Sequence, residues 1–134
     1  MHGGSCLCGE VSYTYAGEIE ELSRCYCSQC QKAQGGAFVA VAPIEAELFK
    51  VVKGKDKLSE YRASPNKRRV FCGICASPLY SARDDLPSIL RLRVGTLDSH
   101  INPAKQYHAF ISSTPSWYVI NDEFPRYDEK PNHQ

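Results

Sequence analysis

Apolar and polar positions alternate along Val11-Ser12-Tyr13-Thr14-Tyr15 and again from Ser88 to Gly95, where Leu90 and Leu92 are interleaved with Arg91 and Arg93. A period of two predicts strands. Phe38 to Ala42 is a continuous apolar run closed by Pro43 and reads as a buried strand. Leu48 to Val52 and Lys57 to Tyr61 flank Gly54, which predicts a hairpin with Lys50, Lys53, Lys55 and Lys57 on its wet face. Arg68 to Phe71 leads into one turn and Pro78 to Tyr80 leads out of it, while Gln106 to Ile111 and Trp117 to Ile120 are further short strand candidates. The acidic stretch from Gly17 to Leu22 reads as a loop, and Gly35-Gly36 as a breaker after at most a short helix. No long helical period and no tandem repeat interrupts this series, so the predicted class is mostly β.

Composition narrows the picture in three ways. The chain has 134 residues, 43% of them hydrophobic, which suits one domain spanning residues 1–134. Its 16 Lys and Arg stand against 15 Asp and Glu, so the net charge of +1 supplies no field for nucleic acid or an anionic membrane surface. The longest apolar stretch, Ala37 to Ile44, falls well short of the ~20 residues of a membrane span, and no basic-then-apolar leader opens the chain. The expectation is a soluble cytoplasmic protein that recognises its partner locally.

Seven cysteines change the picture most. An odd number without an export signal argues against a disulfide scaffold, so reduced thiols need another use. They fall into three groups: Cys6 with Cys8; Cys25, Cys27 and Cys30; Cys72 with Cys75. Sequence-distant pairs on tight turns, here helped by Gly4, Gly9 and Gly73, can converge on a tetrahedral zinc with Zn–S bonds of ~2.3 Å. One closed four-thiolate site leaves three thiols, and three protein ligands with a vacant position is the pattern of a catalytic zinc. Spacing alone does not say which three remain, since Cys27 and Cys30 also suit a zinc-ribbon pairing with Cys72 and Cys75. Cys25, Cys27 and Cys30 form the most compact trio and are favoured as the open site. A single zinc with three spectator thiols is the simpler alternative. A thioredoxin-type reading of Cys72-Gly73-Ile74-Cys75 wants a helix where Ser77-Pro78 stands, and the Cys-x-Cys groups do not follow ferredoxin spacings.

Gly4-Ser-Cys-Leu-Cys-Gly9, Cys25-Tyr-Cys-Ser-Gln-Cys-Gln-Lys32, Phe71-Cys-Gly-Ile-Cys-Ala-Ser-Pro-Leu79, Gly95-Thr-Leu-Asp98, Ser116-Trp117 and Asp122-Glu-Phe-Pro125 occur in that order over nearly the whole chain. In these pieces the sequence resembles the glutathione-dependent formaldehyde-activating enzyme family. The resemblance implies a mostly β, Mss4-like (β-tent) fold of short antiparallel sheets around a structural zinc. It implies that Cys6, Cys8, Cys72 and Cys75 hold that zinc, and that Cys25, Cys27 and Cys30 hold a second, catalytic one. Tyr26 departs from the His common at its position, and Ala76 from the Gly common at its own. The chain is also shorter than the founding enzymes at its N-terminus and in its loops, where their glutathione contacts lie.

The chemistry so implied is that of a carbon–sulfur lyase, with a small-molecule thiol such as glutathione and an aldehyde as partners; a homodimer is compatible with the sequence. His108 is the first candidate for proton transfer because an unperturbed imidazole titrates near ~6.5, although a packed strand residue is the plainer reading. Asp98 reads as a turn residue and Trp117 as core or cavity wall. Lys67-Arg68-Arg69 suit substrate carboxylates, against the plainer reading of a solvated basic turn. A non-catalytic zinc-stabilised binding module is the rival from another class, and it needs only the four-thiolate clamp.

Overall fold

The computed structural model describes residues 1–131. Ten strands and one short helix follow in order: β1 (His2–Ser5), β2 (Ser12–Tyr15), β3 (Glu21–Cys25), α1 (Ser28–Gln34), β4 (Val39–Glu45), β5 (Phe49–Lys53), β6 (Leu58–Ser64), β7 (Lys67–Cys72), β8 (Pro78–Arg83), β9 (Ile89–Arg93) and β10 (Lys105–Ala109). They form a three-stranded sheet, β1-β2-β5, and a seven-stranded sheet, β10-β3-β4-β9-β8-β7-β6. Neighbours are antiparallel except β10, which runs parallel to β3. The mostly β class expected from the alternation is the class observed.

The larger sheet has two unlike faces, and this positions everything that follows. Ala42, Ile44, Leu90, Leu92 and Cys72 face the smaller sheet, where they pack with Val11, Tyr13 and Tyr15 into the main core. Alternate positions on the same strands face the other way. There the register aligns Ser23, Val41 and Arg93 across β3, β4 and β9, and Arg69, Ser81 and Arg91 across β7, β8 and β9. Burying Leu92 and Ile44, at 0% and 2% exposure, contributes roughly 1.5–3 kcal/mol each and fixes which residues fall on the opposite face.

Several local expectations are corrected. Leu48 to Val52 and Lys57 to Tyr61 do not pair as a hairpin: β5 joins β2, while β6 joins β7 in the other sheet. Gly54 instead turns the chain between sheets at φ 79°, where a side chain would collide with the Glu10 carbonyl. Pro43 does not end its strand. β3 pairs only with Val39 to Val41, so β4 continues past Pro43 against β9 alone, an edge-like stretch where proline is tolerated. Leu22 belongs to β3 rather than to a loop, and Trp117 to Ile120 form no strand. Gly35, in the left-handed conformation at φ 73°, ends α1 as the breaker reading requires. Among the described residues no helix is long and apolar enough to cross a membrane.

Candidate metal centres

The first cysteine cluster joins the two sheets. Cys6 and Cys8 lie on the turn between β1 and β2, Cys72 ends β7, and Cys75 sits on the turn into β8. All four sulfurs lie within 4.8 Å of one another. The Cys6–Cys8 separation is 3.6 Å and the Cys8–Cys72 separation 3.9 Å. A tetrahedron of Zn–S bonds of ~2.3 Å has edges of about 3.8 Å, so the donor set fits zinc. Backbone N–H groups aim at the sulfurs as they would at thiolates: Val11 at Cys6 (3.3 Å), Cys8 at Cys75 (3.4 Å), and Ile74 and Cys75 at Cys72 (3.4 and 3.5 Å). The Ser77 hydroxyl lies 3.3 Å from the Cys75 sulfur and, with the Ser77 backbone, pulls that thiol down to about 5. Ala76, beside these ligands, is held in the left-handed region at φ 66°, which explains why glycine is the relaxed choice at this position.

The second cluster is built where β3 hands over to α1. Cys25 is the last residue of β3, Cys27 is the N-cap of α1 and Cys30 lies one turn inside it. The cap geometry draws the three together. Cys27 Sγ accepts the Cys30 N–H at 3.3 Å, and the Cys30 and Cys25 sulfurs are 3.4 Å apart. All three sulfurs fall within 4.8 Å, and among the described residues no fourth His, Cys or carboxylate joins them. The division of seven thiols into four and three is therefore present in space as well as in sequence. The hydrogen bond shared with Cys25, then Cys27 and the nearby charges of Lys67 and Arg69, lower the Cys30 thiol to about 5 against the opposing effect of burial.

The open side of the trio faces a cavity of about 370 Å³ on the second face of the large sheet. Its walls include Cys25, Cys27, Cys30, Val39 and Val41, together with Lys67, Arg83, Arg91, Arg93 and Lys130. Arg93 is only 6% exposed. Its Nη1 donates to Ser81 Oγ at 3.2 Å and to the Arg91 carbonyl at 3.0 Å. No aspartate or glutamate lines this cavity among the described residues.

Other candidates are placed differently. His108 on β10 is 1% exposed and turned away from the cavity. Its Nδ1 is 2.8 Å from the Tyr26 hydroxyl, and its Nε2 is 2.9 and 3.1 Å from the two Asp122 oxygens. Nε2–H donates to the carboxylate, so Nδ1 accepts the Tyr26 O–H. Burial alone would raise the Asp122 carboxyl, but hydrogen bonds from His108 and the Phe124 N–H hold it below the usual carboxylate range. With both nitrogens engaged, His108 is the packed strand residue of the plainer reading. Tyr26, at the position that departs from His, stacks against Phe38 and Tyr118 and ties the trio's loop to β10. Asp98 accepts the Ser5 hydroxyl at 2.8 Å and donates its N–H to the Gly3 carbonyl, a turn role beside β1. Trp117 is 69% exposed and is neither core nor cavity wall.

Lys67-Arg68-Arg69 form strand rather than turn, so their side chains part company. Lys67 lines the cavity, whereas Arg68 turns outward to Glu60 (3.4 Å) and Asp84 (3.6 Å). Arg69 shares the inner face, and its buried Nη2 has no hydrogen-bond partner. Sequence reasoning missed Arg91 and Arg93 as site residues. The signal was present in Leu90-Arg91-Leu92-Arg93, where alternation puts both arginines on one face, but it reads equally as a solvated face.

The chain matches the family model described as "Glutathione-dependent formaldehyde-activating enzyme" over residues 1–113. It is similar to a Halomonas elongata protein named "Putative glutathione-dependent formaldehyde-activating enzyme", at 31% identity over 125 residues, with 87% of this chain and 79% of that protein covered. A Fusarium vanettenii protein of the same name is 32% identical over 75 residues, covering 56% of this chain and 40% of that one. Among solved structures, a Rhodobacter sphaeroides protein shares the fold with TM-score 0.62 at 21% identity, covering 92% of this chain and 98% of its own. With its ordered cysteine clusters and a match across most of its length, the chain belongs to the glutathione-dependent formaldehyde-activating enzyme family.

Proposed function

We propose that residues 1–134 form one zinc domain acting as a carbon–sulfur lyase on thiol–aldehyde adducts of the S-hydroxymethylglutathione type. In this reading Cys6, Cys8, Cys72 and Cys75 hold a structural zinc, and Cys25, Cys27 and Cys30 hold a catalytic one. The observation that carries it is the position of the trio: three converging sulfurs, no fourth protein donor among the described residues, and a cavity on the open side. Zinc held by Cys25, Cys27 and Cys30 would supply Lewis acidity that lowers the pKa of a substrate thiol and keeps it nucleophilic toward an aldehyde carbon.

The chain's own residues do the rest. Cys27 and Cys30 are fixed by the first turn of α1, and Cys25 by its pairing with Val39 on β4, so the three donors are preorganised. Val39 and Val41 give the cavity a dry floor beneath the sulfurs, which strengthens electrostatic contacts made there. Keeping seven metal-ready thiols reduced suits a cytoplasmic location, and glutathione and formaldehyde are the thiol and aldehyde that the relatives' names suggest.

The test is metal content and turnover in the same preparation. Protein purified anaerobically should hold two zincs per chain, and NMR of thiol and aldehyde mixtures should show adduct formation or cleavage that Cys27→Ser abolishes. One zinc per chain with zinc in excess, and no effect on any adduct, would instead establish a zinc-stabilised binding module.

A further inference from the structure

The cavity face is charged in a way that three thiolates do not explain. Lys67, Arg69 and Arg93 all stand on the inner face of β7 and β9, and none has a carboxylate partner among the described residues. Arg68 on β7 pairs instead with Glu60 and Asp84, and Arg83 on β8 with Asp85 at 2.7 Å, while Arg91 on β9 lines the same cavity, also without a carboxylate partner among the described residues. Lys67 and Arg69 act electrostatically on Cys30, and Cys30 and Cys25 act on Arg93.

Burial makes this arrangement costly. Arg93, at 6% exposure, is lowered to about 10 by desolvation and then by the charge of Arg69. Lys67 is lowered first by burial and then by Arg69, with the Cys30 and Cys27 sulfurs opposing. An unpaired buried cation is retained where an anion will meet it. A zinc held by three thiolates has a formal charge of −1, which offsets one of these cations and leaves a positive excess. A neutral reactant such as formaldehyde offsets none, and a thiolate offsets one more. A further negative charge close to the reacting sulfur reduces the excess that remains.

We propose that the adduct handled at this site carries a carboxylate next to its carbon–sulfur centre, and that Lys67 and Arg93, backed by Arg69, form the subsite that holds it. This rests on the reading of Cys25, Cys27 and Cys30 as an open metal site. The carboxylate comes from a short carboxylated thiol or from a 2-oxo acid aldehyde such as glyoxylate. Adduct formation is balanced either way: the sulfur adds to the carbonyl carbon, the thiol proton passes to the carbonyl oxygen, and nothing is oxidised. Arg93 suits a carboxylate because Ser81 and the Arg91 carbonyl engage Nη1 and orient the guanidinium fork.

The test compares ligands of matched size and different charge by titration calorimetry on the two-zinc protein at low salt. 3-Mercaptopropionate should bind at least tenfold more tightly than 2-mercaptoethanol if the thiol brings the carboxylate. If the aldehyde brings it, 2-mercaptoethanol should show the tenfold gain with glyoxylate present and not with formaldehyde. Either preference should shrink to within threefold in Lys67→Met and in Arg93→Gln, with zinc content unchanged, and survive in Arg93→Lys, which guards against a folding defect. Succinate, which has no thiol, reads the subsite separately: binding in the wild type that is lost in Lys67→Met supports it even if no thiol reaches the metal, in which case the open-zinc reading fails alone. Equal affinity for charged and neutral ligands, or a preference that survives in both Lys67→Met and Arg93→Gln, overturns the proposal.

Discussion

Replacing one sulfur in each cluster separates a structural metal from a working one. In the clamp, Cys72 is fully buried, its sulfur accepts two backbone N–H groups, and it lies 3.9 Å from the Cys8 sulfur on the turn of the other sheet. Structural zinc contributes about 10–16 kcal/mol of apparent binding free energy in small zinc domains, against a net stability of about 5–15 kcal/mol. Losing even a third of the lower figure removes about 3 kcal/mol, and at roughly 3–5 °C per kcal/mol for a chain of this size Cys72→Ser lowers Tm by about 10–15 °C. Cys27 is different. Its sulfur caps α1 by accepting the Cys30 N–H, and a serine hydroxyl is a preferred cap at that position, so Cys27→Ser changes stability by less than about 1 kcal/mol. Circular-dichroism melts with zinc determination on each variant provide the assay. Cys27→Ser should melt within a few degrees of the parent with one zinc per chain; equal loss of Tm in both variants refutes the division of labour.

Three further outcomes follow from particular contacts. Ala76→Gly relieves left-handed strain of about 1–2 kcal/mol and gives back about 0.4–1 kcal/mol in unfolded-chain entropy, so Tm should rise by a few degrees; an unchanged or lower melt contradicts the strain at φ 66°. Tyr26→Phe leaves the buried His108 Nδ1 without its donor and should cost about 1–2 kcal/mol in chemical denaturation while two zincs stay bound; a tenfold loss of turnover at full metal content would show that the chain from Tyr26 to Asp122 takes part in the reaction. The Asp122 carboxyl is depressed in the folded protein, so its contribution is fully present above the unfolded value of ~3.9 and is lost as pH falls through the lower folded value. Asp122→Asn should therefore flatten the acid limb of stability below about pH 4, and parallel limbs for variant and parent would count against the His108 contact.

Much of the site is written locally, and what is not depends on which sheet a strand joins. Cys6 and Cys8 before β2, and Cys72 and Cys75 between β7 and β8, fall at the ends of strands with clear alternation, and β9 is legible for the same reason. β1 is hidden by Gly3 and Gly4, the second of which lacks a side chain where the Tyr13 ring packs, and β3 by its acidic start. Gly54 signals a turn correctly but carries no information that β5 pairs backwards with β2 while β6 pairs forwards with β7. Trp117 looks like core by composition, yet Tyr118 rather than Trp117 turns inward to Phe38. Arg93 shows the deeper limit: whether an alternating arginine meets water or a walled cavity is decided by α1 and β10, far away in sequence.

That limit also ties the two metal sites together. The seven-stranded sheet has hydrophobic residues on one face and cations with thiols on the other, so a one-residue slip of β9 would drive Arg91 and Arg93 into the core and lift Leu90 and Leu92 into the cavity. Burying two unpaired guanidinium groups there would cost several kcal/mol each, enough to forbid the slipped state, but only if the neighbouring strands hold their own register. β9 takes its register from β4 and β8, β8 is paired in turn with β7, and β7 ends at Cys72 in the clamp. A metal held by the four-cysteine cluster would thus steady the frame from which Lys67, Arg69 and Arg93 reach the three-cysteine cluster, and its loss should disorder the cavity before the trio itself is touched.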